Sequence, residues 1–200
     1  MTCRPWVVAR LGALLCALTL TGCTSTAVVE KPSAEALQAQ KKAAEIADCP
    51  ASDQSALVAD GLPDLTLECL GGGRSVRLAG LRGEPTMINI WGQWCPPCRA
   101  EAPFLTEVAT DAPAGLRIIG VDYIDPRPDW AIEFAQLSSW TYPQLQDPDK
   151  RLESPLQLAA GIPQTLFVRA DGTIAYQHRA PFRSAAEIRS LLRQHLDVVG

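Results

Sequence analysis

Residues Thr86–Cys98 read TMINIWGQWCPPC. The first six, Thr86 to Trp91, form an apolar, β-rich run of strand length. A helix is predicted from about Cys98 to Ala109, kinked at Pro103. Leu116–Asp122 (LRIIGVD) is a second buried run. Strand, helix, strand is a βαβ unit, and its two strands pair in parallel. The two cysteines therefore lie where a buried strand feeds a helix.

Working outward, Leu65-Thr66-Leu67 and Val76-Arg77-Leu78 flank Gly71-Gly72-Gly73 and read as a hairpin. No Gly-Lys-Ser/Thr follows, so the glycines are not a phosphate loop. Trp130–Leu137 is a helical segment with Trp130, Phe134 and Leu137 on one face. Lys150–Leu158 holds a further short helix. Thr165–Arg169 and Thr173–His178 flank Asp171-Gly172, a strong hairpin signal. Ser184-x-x-Glu187 is a capping box opening a last helix, with Ile188, Leu191, Leu192 and Leu196 as its apolar stripe. The class is α/β: a mixed central sheet with helices on both faces and an N-terminal β-hairpin.

The chemistry resides in Cys95-Pro96-Pro97-Cys98. At a helix N-terminus, free N–H groups and the dipole favour negative charge. A thiolate is stabilised there, below the ordinary cysteine value of about 8.5. The three-residue spacing puts both sulfurs on the first turn, near enough to bond. Cys95, at the exposed end, is the expected attacking thiolate, and Cys98 the resolving thiol, in exchange through a mixed disulfide. Pro96 and Pro97 lack an N–H, which leaves mainly the Cys98 N–H to hold the Cys95 sulfur. A less stabilised reduced form is a more reducing couple. Zinc would want four ligands, and His178 and His195, the only histidines, read as surface or rim residues. No metal is expected, and no cofactor beyond the Cys95–Cys98 pair itself.

The chain has 200 residues, enough for one domain with appendages. Hydrophobic residues make up 47% and charged residues 20%, which supports an ordinary core. A formal charge of −4 gives no sign of the basic face that nucleic acid requires. Sixteen prolines favour short elements.

Residues 1–22 read as a targeting segment. Arg4 and Arg10 are its positive region, and Leu11–Leu20 is too short to span a bilayer. Leu20-Thr21-Gly22-Cys23 resembles the lipobox of bacterial lipoproteins, which implies lipidation at Cys23. Without Arg4 and Arg10 the chain has 16 basic and 22 acidic residues, so acyl chains rather than charge would hold it at an anionic membrane. Residues 23–48 then form a polar tether, part helical from Ser33, and residues 49–200 the folded domain. Of seven cysteines, Cys3 and Cys16 leave with the leader and Cys23 is capped. Cys95 and Cys98 pair by proximity, so Cys49 pairs with Cys69, a structural disulfide that suits an exported chain.

Asn89–Pro103 (NIWGQWCPPCRAEAP) resembles the TlpA/ResA-like thioredoxin family, and the likeness continues through Phe134, Tyr142-Pro143, Asp147, Gly161-Ile162-Pro163 and Asp171-Gly172. The resemblance implies a thioredoxin fold with a helical insertion at about residues 123–146. It implies that Pro163 is a cis-proline facing the cysteine pair, so that Ile162 and Pro163 bind a substrate chain. It implies that Glu101 is a carboxylate tuning the pair or accepting its protons. Asn89 stands where ordinary thioredoxins keep a buried Asp, which moves any base role to Glu101. Trp91 and Trp94 match aromatic positions beside the site, read either as substrate contacts or as core. Gly92-Gln93 departs from the small-residue pair usual there.

The leading expectation is a lipid-anchored thiol–disulfide oxidoreductase on the extracytoplasmic face of the cell membrane. It would reduce exported cysteine-containing proteins, as in cytochrome c maturation, and exchange electrons with a membrane partner. A monomer is expected. A disulfide-forming oxidase of the same fold is one alternative. A copper-binding assembly chaperone is another, although it would use a CxxxC spacing without the opposing cis-proline. A peroxidase would want Thr-x-x-Cys, and no Thr stands at that spacing before Cys95 or Cys98.

Overall fold

The computed structural model describes residues 31–198. The leader at 1–22 and the lipidation position Cys23 lie outside the described residues. A seven-stranded sheet is built from β1 (Thr66–Cys69), β2 (Val76–Arg77), β3 (Thr86–Trp91), β4 (Arg117–Tyr123), β5 (Gln144–Asp147), β6 (Gln164–Val168) and β7 (Ile174–His178), in the order β2-β1-β5-β4-β3-β6-β7. β3 pairs in parallel with β4, and β4 with β5; β3 pairs antiparallel with β6. This is the mixed sheet of a thioredoxin fold. β3 and β4 are all but fully buried, as their unbroken apolar runs required.

Among the described residues the four α-helices are α1 (Ala34–Ala43), α2 (Pro96–Thr110), α3 (Pro128–Leu137) and α4 (Ala185–Leu196). All four border one core, which holds Trp91, Leu105, Ile132, Trp140, Phe167 and Ile188. The second core, around Ile88, Ile90, Val121, Leu145 and Leu166, is closed by Cys49, Leu62, Leu152, Leu156 and Leu158. That face is therefore covered by irregular chain and a 3-10 turn at Leu158–Ala160. The helix expected at Lys150–Leu158 is a series of turns, in which Glu153 and Leu156 N–H groups reach back three and four residues. α2 runs through Pro103 to Thr110. The α4 capping box forms: Ser184 Oγ accepts from Glu187 N at 3.1 Å.

Three segments differ from the sequence reading. First, residues 31–48 of the expected tether are part of the fold. α1 is capped by Ser33 and lies against α3, Gln40 Nε2 donates to Asp129 O at 2.8 Å, and Ala44 and Ile46 enter the core. So polar a segment packs because Lys41 buries its amine on polar partners, a signal that apolar patterning does not carry. Second, the insertion contributes a strand as well as a helix. β5 (QLQD) inserts between β1 and β4 although half of it is glutamine. Gln144 is fully buried and accepts the Trp91 indole N–H at 3.0 Å. A Cβ on Gly120 would collide with Gln144 Oε1, so glycine in β4 makes room for that side chain. Third, the predicted apolar face of α3 is split. Ala131, Ile132 and Ala135 enter the core and Phe134 packs against Trp91 and Trp140, while Trp130 and Leu137 are exposed.

Candidate functional site

The end of β3 delivers the chain to α2 through Gly92, Gln93 and Trp94. Cys95 is the N-cap of α2, and its Sγ accepts from Cys98 N at 3.2 Å. Positions 96 and 97 are proline, so this is the one first-turn N–H aimed at the sulfur. Cys95 and Cys98 are joined as a disulfide. Cys95 is only 2% exposed, which corrects the expectation of an exposed end. The reason is the loop before β6: the Ile162–Pro163 bond is cis, and the Ile162 carbonyl oxygen lies 3.5 Å from Cys95 Sγ. The exposed rim of the pair consists of Trp94, Pro96 and Pro97, with half-buried Ile162 beside them. The structure thus brings together Trp94, Cys95, Cys98, Ile162 and Pro163.

Glu101 lies one turn beyond Cys98, on the same helical face. It is 1% exposed, not a solvated first-turn acid. Its carboxylate accepts from Asn89 Nδ2 at 3.0 Å and from Phe182 N at 2.9 Å. Asn89 also donates to Thr165 Oγ1 at 3.0 Å. Burial pushes the Glu101 carboxyl from 4.5 up to about 7, against the pull of those two hydrogen bonds. A carboxyl that titrates near neutrality, beneath a thiol pair, is suited to take and return a proton. Asn89 has no proton to exchange, but its amide fixes the orientation of the Glu101 carboxyl.

The two tryptophans separate cleanly. Trp91 is core: fully buried, with its ring 5.1 Å from Trp140 in an edge-on contact. Trp94 is 42% exposed, and its indole N–H donates to the Tyr123 carbonyl at 3.3 Å. The Gly92 departure has a steric cause. A Cβ there would lie 2.6 Å from Trp94 Nε1, so glycine lets the indole fold back against the chain. Gln93 lines the depression described next, where its side chain hydrogen-bonds to the Asp125 carboxyl and partly offsets the effect of burial on it.

Sequence reasoning missed a second wall of the site. Trp94, Gln93, Ile124, Asp125, Pro126 and Trp130 line a shallow depression of about 430 Å³. The Arg127 guanidinium stacks 4.4 Å over the Trp130 ring. At the same end of the sheet, Asp122 and Asp125 are buried, and burial raises both carboxyls, Asp122 well above the usual range. Val121-Asp122-Tyr123-Ile124-Asp125 follows a buried parallel strand, and ligands gather at the carboxyl ends of such strands; that was the available signal. The second pair, Cys49–Cys69, is bonded and buried. His178 and His195 stack on Phe182 and Tyr176, at 4.6 and 4.3 Å between ring centres.

Residues 58–177 match the family described as AhpC/TSA. The thiol:disulfide interchange protein DsbE of Escherichia coli strain K12 is 31% identical over 133 residues, covering 66% of this chain and 70% of that protein. DsbE of Yersinia pestis is 34% identical over 127 residues, covering 62% of this chain and 65% of its own length. Among solved structures, a secreted Mycobacterium tuberculosis disulfide oxidoreductase, described as homologous to E. coli DsbE, superposes with a TM-score of 0.57. Its identity is 25%, and the match covers 66% of this chain and 96% of that one.

Proposed function

The chain belongs to the AhpC/TSA family, and from that premise we propose that it reduces disulfides of exported proteins through Cys95 and Cys98. It is a thiol:disulfide interchange protein of thioredoxin fold, similar to DsbE. The observation that favours the reductive direction is the single N–H on Cys95 Sγ, that of Cys98, with proline at the two positions between them. A thiolate held by one donor is a weaker leaving form, so the dithiol gives up its electrons more readily.

In the forward cycle, Cys95 thiolate attacks one sulfur of a client disulfide, and the other client sulfur leaves with the bonding electron pair. Cys98 loses its proton to the Glu101 carboxylate and attacks Cys95 Sγ. The Cys95–client bond breaks, the second client thiolate departs, and Cys95–Cys98 is left as the disulfide. Two electrons have moved to the client, so an upstream dithiol must restore them. The client chain would lie along Ile162 and cis-Pro163, with an apolar side chain against Trp94 and Trp130. The Leu20–Cys23 segment supports a lipid anchor at Cys23 and a place on the extracytoplasmic face, next to a membrane electron donor. Cytochrome c maturation is one process such a reductant would serve. Among the described residues, no helix is long and apolar enough to cross a membrane.

The test is the equilibrium of Cys95–Cys98 in glutathione and dithiothreitol buffers, read by alkylation and peptide mass. A potential near or below about −250 mV, in the thioredoxin range, supports the reductase. A value above about −150 mV, towards DsbA, makes the chain an oxidase.

A further inference from the structure

The Cys49–Cys69 bond lies against an unusual neighbour. Lys41, on α1, is 7% exposed, and its Nζ sits 3.1 Å from Cys69 Sγ. The same amine donates to the Gly72 carbonyl at 2.7 Å and lies 3.4 Å from Asp48 Oδ1. In the oxidised protein the charged partner of this ammonium is the Asp48 carboxylate, at 3.4 Å and 57% exposed. When the bond is open, Cys69 as a thiolate gives it a second, which is buried and nearer. We propose that Cys49–Cys69 is a second thiol–disulfide couple, opened by small thiols, in which Lys41 holds Cys69 as the thiolate.

The charged groups facing the pair are Lys41 from α1, Asp48 from the segment after it, and Arg74 from the turn between β1 and β2. Arg74 donates to the Cys49 carbonyl at 3.4 Å and binds Asp48 through its backbone N–H. Asp48 Oδ1 is 3.7 Å from Cys69 Sγ and opposes a thiolate. Its side chain is 57% exposed, however, against 8% for Lys41. Solvent screens the acid more than the amine, and the amine is nearer. Asp48, Cys49 and Cys69 place ligand atoms within 4.8 Å of one another, but the Lys41 ammonium already lies against two of the three, Asp48 Oδ1 and Cys69 Sγ. The arrangement serves a thiolate rather than a metal ion.

Both sulfurs are buried, so reduction needs a local opening. Cys49 belongs to a long irregular stretch between α1 and β1, exposed over much of residues 51–60; such segments open at low cost. A depression of about 580 Å³ lined by Glu35, Gln38, Lys41, Lys42, Asp48 and Gly73 brings solvent to the Lys41 side. In the step itself, a thiolate RS⁻ attacks Cys49 Sγ. The S–S bond breaks, and Cys69 Sγ leaves with the electron pair, onto Lys41. A second RS⁻ attacks the mixed disulfide and releases RSSR. Cys49 takes up a proton, and Cys69 remains ionised. Two electrons enter the protein, and the direction of flow at Cys95–Cys98 is not involved.

The test equilibrates the full chain with glutathione redox buffers and follows the Cys49 and Cys69 peptides by alkylation and mass. In the wild type, reduction takes up two protons below the Cys69 titration and one above it, so the pH slope of the potential halves there. The break is expected below the ordinary thiol value of about 8.5. Lys41→Met is expected to shift the equilibrium about tenfold towards the disulfide, which is about 30 mV. Asp48→Asn is expected to shift it the other way. A break at or above about 8.5, or a Lys41→Met protein within threefold of wild type, overturns the proposal. If Lys41→Met does not fold, the wild-type break alone decides. Peptide-resolved readout keeps the outcome separate from that at Cys95–Cys98.

Discussion

Glu101→Gln is expected to abolish a pH dependence of stability that the wild type owes to one buried carboxyl. In the fold, Glu101 titrates at about 7 instead of 4.5 because burial disfavours its charge. Between these values the native state keeps a proton that the unfolded chain has released. The unfolded state binds fewer protons, so stability falls as pH rises. The contribution is complete at and below about pH 4.5 and is lost by about pH 7. A rise of this size corresponds to about 3 kcal/mol. Asp122 and Asp125 are also raised by burial, and their slopes are present in both proteins. Glutamine cannot accept from both Asn89 and Phe182 with oxygen, and that loss is the same at every pH. The informative quantity is therefore a double difference. Oxidised wild type and Glu101→Gln are unfolded in urea at pH 5 and pH 8 and followed by tryptophan fluorescence. The wild type should lose about 2.5 kcal/mol more than the variant between the two pH values. Equal losses would refute a neutral buried Glu101, and with it the proton-accepting role assigned to it. Reductase turnover near pH 7 should fall in the same variant, since Cys98 loses its acceptor.

Trp91→Phe removes the five-membered half of the indole and with it the N–H that satisfies Gln144 Oε1. The expected loss, measured by urea unfolding, is at least about 1–3 kcal/mol for a buried acceptor left without a donor, with the cost of the small cavity added; a loss under about 0.5 kcal/mol would refute both. Gly92→Ala places a methyl group 2.6 Å from Trp94 Nε1 and should push the indole off the Tyr123 carbonyl. Its expected signs are a red-shifted tryptophan emission and a raised KM for a protein disulfide, with kcat retained; an unchanged KM would remove Trp94 from client binding.

The sequence determined the βαβ unit and the place of the cysteine pair in it. Those features rest on short-range rules: an apolar run of strand length, two prolines without N–H groups, and a helix start that favours a thiolate. The Asp171-Gly172 turn and the Ser184–Glu187 cap were legible for the same reason, since each is satisfied within a few residues. Counting cysteines was enough to pair Cys49 with Cys69. Tertiary structure alone decided where polar side chains are buried. Gln144 makes a strand of an unpromising segment because the Trp91 indole reaches it across β4. Lys41 anchors α1 because Gly72 and Asp48 wait for its amine. Glu101 is a neutral-range acid because its burial disfavours the charge more than the hydrogen bonds from Asn89 and Phe182, donated from two other parts of the chain, favour it. Trp130 and Leu137 of α3 face outward because Ala131, Ile132 and Ala135 take the inward positions. Charge and polarity along a chain record which groups ionise; only the packed surroundings fix how far water is excluded from them, and that exclusion sets their chemistry.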